Sequence, residues 1–172
     1  SKIDHRIDRF NNDLRAQWDL GEVKNVTYKG ADDADVQMWI VYPPNFDKTK
    51  KWPLLMMIHG GPHNAITTDF HYRWNAHLFA SKGYVVAAIR HDDVPITDKT
   101  GIPEILLRRP LDIAFVAQSL QGSLAAEGRI DPTRIALIGY SMGGYGVLTA
   151  AGAALDPKGL ACSLVPGHSL DA

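Results

Sequence analysis

Ser141 lies in "IALIGYSMGGYGVLTAAGA", with an apolar run before it and a small-residue helix pattern after it. A serine hydroxyl is a weak nucleophile at neutral pH. It must be exposed, aligned with a base, and set beside donors that hold a developing oxyanion. A sharp strand–turn–helix junction gives that exposure. Its tightness demands small residues two before and two after the serine, here Gly139 and Gly143, with Tyr140 and Met142 between. The Met142 backbone N–H is then one oxyanion donor. The five-residue spacing alone is common. The buried strand and helix expected on either side carry the reading against an inert serine on a tight crossover.

A second donor should come from a loop after a neighbouring strand. "LLMMI" runs into His59-Gly60-Gly61-Pro62. Glycine lets a backbone approach a substrate closely, and Gly61 N–H is the candidate. The alternative is an ordinary strand-ending turn. His59 and His63 are four apart, but they fall on a loop with no third ligand in phase, so no metal and no cofactor are expected. Arg108-Arg109 reads as a solvated helix start or an ion pair with Asp112 rather than an anion site. Trp52, Phe70, Tyr72 and Trp74 read as packing more than as cleft lining. Cys162, the single cysteine, reads as a buried structural thiol.

The elements that must position these residues follow from hydrophobic periodicity. Residues 1–20 have sparse, helix-like apolar spacing and form a lead-in helix or linker. "EVKNVTYKG" and "VQMWIVYPP" predict an antiparallel hairpin. Leu54–Ile58, Tyr84–Ile89, "RIALIG" and "GLACSLV" (Gly159–Val165) lack alternation, as strands buried on both faces do. "YRWNAHLFASKG" predicts a helix closed by Gly83. "EILLRRPLDIAFVAQSLQGSLAAEG" predicts another, with Ile113, Val116, Ala117, Leu120 and Leu124 on one stripe. Asp131-Pro132 predicts a turn. The result is an α/β fold: an antiparallel hairpin, then a mostly parallel sheet with helices on both faces.

Composition agrees with a globular domain. Of 172 residues, 45% are apolar and 22% charged, and the net charge is −1. Nothing there favours nucleic acid or an anionic membrane. No stretch reads as a signal peptide or a membrane span, so a cytoplasmic location is expected.

Residues 20–88, with "VYPPNFDKTKKWPLLMMIHGGPH" and "FHYRWNAHLFASKGYVVA", resemble the catalytic domain of the prolyl oligopeptidase (S9) family, near its acylaminoacyl- and dipeptidyl-peptidase branches. In that family the second glycine of His-Gly-Gly-Pro supplies an oxyanion N–H, which falls on Gly61. The pattern then departs. Ile89-Arg90-His91-Asp92-Asp93 stands where those peptidases carry Asn-x-Arg-Gly-Ser, and the elbow reads Gly-Tyr-Ser-Met-Gly-Gly rather than Gly-Gly-Ser-Tyr-Gly-Gly. Residues 89–155 look more like the dienelactone hydrolase and platelet-activating-factor acetylhydrolase branch. Both branches imply an α/β-hydrolase fold, with a junction, natural or engineered, between about Phe70 and Arg90.

The resemblance also implies a triad acid and then a histidine after the serine. Neither is identifiable. His168 and Asp171 have the chemistry but fall too early, and His91 and Asp92 are equally weak substitutes. The strand pattern runs out after about six strands. The expectation is therefore a partial α/β-hydrolase domain over 21–172. A homo-oligomer or second chain would complete the sheet, because an open apolar edge invites pairing. The functional expectation is a serine hydrolase, an esterase or S9-type peptidase, acting on a small ester or peptide through an acyl-enzyme. The rival is a catalytically incomplete binding or assembly module.

Overall fold

A computed structural model describes residues 9–29, 35–61, 71–91, 101–122 and 128–154. Strands β1 (Val23–Lys29) and β2 (Asp35–Val41) form the expected antiparallel hairpin, with Val23 opposite Val41 and Lys29 opposite Asp35. β2 also runs antiparallel to β4 (Val85–Ile89), and β4 runs parallel to β3 (Trp52–Ile58). β3 runs parallel to β5 (Ile130–Gly139), giving the order β1-β2-β4-β3-β5. The hairpin therefore extends the parallel part of the same sheet.

Central strands β3 and β4 are covered on both faces, which explains their unbroken apolar runs. Leu54, Met56, Ile58, Val85, Ala87 and Ile89 point to one face. There they meet Ile113, Val116 and Leu120 of α3 (Ile102–Gly122), with Val147 and Ala150 of α4 (Met142–Ala150) beside them. Leu55, Met57, Val86 and Ala88 point to the other face, under Ala80 and Phe79 of α2 (Ala76–Ala80) and Trp74. Asn75 caps α2 through its side chain, and Gly83, at φ 88°, closes the turn after it.

The lead-in lies outside the core, and two other expectations are corrected. The lead-in yields only one described helical turn, α1 (Asn12–Arg15), with no buried residue. Its apolar positions are too sparse to bury a face. Asp131-Pro132 lies inside β5, at a register shift between the Ile130–Trp52 and Ile135–Leu54 pairs. The Asp131 carboxylate accepts from Thr133 N–H and Oγ there, so the predicted turn survives as a local loop in the strand. Arg109 is not solvated but buried. Pro110 sits inside α3. Gly159–Val165, Cys162 and Leu124 lie outside the described residues.

Candidate active site

Ile58 pairs with both Ile89 and Gly139 at the carboxyl ends of three adjacent parallel strands. Whatever follows those strands must emerge side by side. After β3 comes His59-Gly60-Gly61, after β4 comes His91, and after β5 comes Tyr140-Ser141.

Ser141 caps α4 at φ 56° and ψ −126°, a combination that strains any residue with a Cβ. The strain turns an exposed side chain out of the junction. A Cβ at Gly139 would run into the Gly143 carbonyl. A Cβ at Gly143 would run into the Ile58 carbonyl and lie 2.7 Å from that of His59. Gly139 is thus required by the tightness of the elbow itself, and Gly143 by the elbow's close approach to the β3 loop. Met142 is the first residue of α4, so its N–H has no intrahelical partner.

The glycine loop faces the serine. A Cβ on Gly60 would lie 3.3 Å from Ser141 Cβ, 3.9 Å from its Oγ and 3.1 Å from Tyr140 O. Gly61 follows at φ 122°, a backbone state reserved for glycine. Tyr140, half exposed, is covered by Arg73 at 4.4 Å and neighbours Trp74 at 6.1 Å. Trp74 is the one candidate aromatic brought to the site among the described residues. Trp52 packs on Phe46 at the far end of β3, and Tyr72 is solvent-exposed. Phe70, His63, Asp92, His168 and Asp171 lie outside the described residues.

Beneath the glycine loop is a polar cluster that sequence reading did not find. Arg109 donates from Nη1 to His59 O at 2.8 Å and from Nη2 to Gly60 O at 3.5 Å. Its neighbour Arg108 instead pairs at the surface with Glu104. Asp112, the expected partner for an arginine, pairs with His91 Nδ1 at 3.2 Å. The rings of His59 and His91 lie 5.3 Å apart, and His59 Nδ1 sits 2.6 Å from Gly60 O. Burial and then the Asp112 charge push the Tyr28 phenol well above its ordinary pKa. One signal was available: Arg109 is in phase with the buried Ile105, Ile113, Val116 and Leu120. A charge on an apolar stripe needs a partner, and the sequence did not say which.

Among the described residues, no group of three or more metal-ligating side chains gathers, and no helix is long and apolar enough to cross a membrane. His59 and His91 are both buried and turned toward Gly60 O and Asp112. The arrangement presents a strained, exposed serine, an orphan helical N–H and a glycine loop across from them. Chemically, that suits attack on a carbonyl whose oxygen becomes an anion.

The chain is similar to known proteins. A family profile described as PET hydrolase-like matches residues 40–166 in one stretch, across both regions that resemble different branches. Dipeptidyl-peptidase 5 of Porphyromonas gingivalis is 32% identical over 130 residues, covering 72% of this chain and 18% of that protein. Probable dipeptidyl-peptidase 5 of Aspergillus terreus is 55% identical over 53 residues, 31% of this chain and 7% of that one. This chain thus spans less than a fifth of the length of these curated relatives. The solved Pyrococcus horikoshii acylaminoacyl peptidase matches 83% of this chain and 23% of its own, with a TM-score of 0.66 at 22% identity. That likeness identifies the α/β-hydrolase fold.

Proposed function

The chain belongs to the PET hydrolase-like family, and from that membership we propose that it acts as a serine hydrolase on ester or peptide bonds. Ser141 Oγ attacks the substrate carbonyl carbon, and its proton passes to a histidine base. The carbonyl oxygen becomes an anion held by Met142 and Gly61 N–H. Collapse breaks the C–O or C–N bond, and the leaving alcohol or amine takes up the proton. Water then cleaves the acyl-serine ester, returning Ser141. His59 and His91 are not assigned as that base, because both are buried with their Nδ1 atoms on Gly60 O and Asp112. No cofactor enters this chemistry.

The single observation that carries the reading is the strained Ser141 backbone facing the Gly60 loop. The peptidase names of two relatives and the hydrolase name of the family support the substrate class: a small acyl or peptidyl carbonyl compound.

A fluorophosphonate probe and a p-nitrophenyl ester test it. Labelling and turnover are expected in the wild type and lost in Ser141→Ala. Identical traces from the two proteins would sink the reading and favour a binding module.

A further inference from the structure

Arg109 is only 1% exposed, and among the described residues it is the largest side chain buried to that degree. Burying a guanidinium costs several kcal/mol unless good geometry offsets it. A charge kept at that cost on the apolar stripe of α3 asks for a reason. Its planar fork meets two successive main-chain carbonyls, His59 O at 2.8 Å and Gly60 O at 3.5 Å. These belong to the peptide units that carry the N–H groups of Gly60 and Gly61.

A trans peptide is planar, with C=O and N–H pointing opposite ways. A group that draws the two carbonyls inward must therefore turn the two N–H groups outward. Arg109 reaches the loop from α3, so the N–H groups are turned away from that helix, in a loop whose Gly60 lies against Ser141. His59 tightens the same grip. Its Nε2 accepts from His91 N–H at 3.4 Å, which puts the ring proton on Nδ1, 2.6 Å from Gly60 O. Without such a grip, a glycine pair at a loop start is free to rotate its peptides.

We propose that Arg109 is a positioning residue for the oxyanion donors. Its guanidinium holds the His59 and Gly60 carbonyls and so fixes the Gly60–Gly61 peptide, whose N–H joins that of Met142 on the carbonyl oxygen of an ester or amide bound at Ser141. The fixed positive charge also polarises both peptides toward the developing anion. This inference rests on the reading of Ser141 as nucleophile.

The test uses the full chain as wild type, Ser141→Ala, Arg109→Lys, Arg109→Gln and the surface control Arg108→Gln. Each is assayed at a temperature where thermal unfolding shows it folded. The fluorophosphonate forms a Ser141 O–P bond as P–F breaks, fluoride leaves and the serine proton goes to base. Its phosphoryl oxygen occupies the anion position. Arg109→Gln should lower the maximal labelling rate by about tenfold, less than the roughly 10²–10³ of deleting a donor, while half-saturating probe stays within about twofold. Arg109→Lys should recover part of the rate, and Arg108→Gln should label as wild type. Carbon-13 carbonyl signals of His59 and Gly60 should move in both Arg109 variants. Folded Arg109 variants that label at the wild-type rate would overturn the proposal, even with a lowered melting temperature. If wild type and Ser141→Ala label alike, the hydrolase reading fails instead. The carbonyl signals then decide the grip, and unmoved signals would overturn it.

Discussion

A serine at φ 56° and ψ −126° keeps its place only because its surroundings over-determine it. Gly139 and Gly143 do this by letting backbone pass where a Cβ would collide. Gly143 matters most, because its missing side chain admits the Ile58 and His59 carbonyls, the root of the glycine loop. Gly143→Ala should push the elbow and that loop apart. We expect destabilisation of roughly 1–3 kcal/mol by overpacking, read by chemical denaturation. Labelling of the remaining folded protein should also slow, because the loop shifts relative to Ser141. An Ala variant with wild-type stability and labelling would contradict this. The adjacent arginines make a sharper contrast. Arg108 pairs with Glu104 in solvent, where such a pair is worth about 0.3–0.5 kcal/mol. Arg109, one position on, points into the interior.

Elements here act through what their faces meet. α3 serves two purposes at once: Ile113, Val116 and Leu120 seal the sheet, while Arg109 and Asp112 reach the strand ends. α4 can lie close because Gly146 faces Ile113, whose Cδ1 would be 3.1 Å from an added Cβ. Tyr145 ties the pair by donating to Leu106 O at 3.2 Å. The hairpin joins from the other side, with Tyr28 stacked on Phe115 at 6.1 Å. Among the described residues the Tyr28 hydroxyl is buried without a hydrogen-bond partner, and it lies within the field of Asp112. An unsatisfied buried hydroxyl costs about 1–3 kcal/mol. Tyr28→Phe keeps the stack and removes that cost, so it should raise stability by up to about 1 kcal/mol once lost packing is counted. Thermal and chemical unfolding of the variant measure it, and a clear loss of stability would show that the hydroxyl is bonded in solution.

Across the whole molecule, chemistry and anchoring sit at opposite ends of the parallel strands. Ser141 and its loops follow the carboxyl ends, while Asp47 precedes β3 and Asp131 lies near the start of β5. Both carboxyls are held below the ordinary range. Asp131 is drawn to about 2, first by the Thr133 hydroxyl and backbone N–H and then by Arg134. Asp47 is lowered chiefly by Thr49. A carboxyl whose pKa is lower folded than unfolded stabilises the fold while ionised. That contribution is complete above the unfolded value of about 3.9 and is lost as pH falls through the folded value. Stability should therefore decline from about pH 5 toward about pH 2, and Thr133→Val should make the decline shallower. Denaturation series at stepped pH check both, alongside the NMR signal of the Trp52 indole N–H, which donates to Asp47 O. A Thr133→Val protein with an unchanged pH profile would refute the assignment.

The strand runs, the hairpin, the Gly83 stop and the elbow at Ser141 were all legible in the chain, because each depends on local periodicity or on a backbone state that few residues adopt. The glycines around Ser141 signalled themselves for the same reason. Strand order was not local. Only the folded sheet sets β3 between β4 and β5, and so brings His59-Gly60-Gly61, His91 and Ser141 to one rim. Nor did spacing along α3 reveal partners 50 residues away in sequence. Arg108 and Arg109 look alike as letters. Helical phase sends one to water and the other to the carbonyls of the glycine loop, and that choice was settled by tertiary packing, because a buried charge takes its meaning from whatever the fold places opposite it.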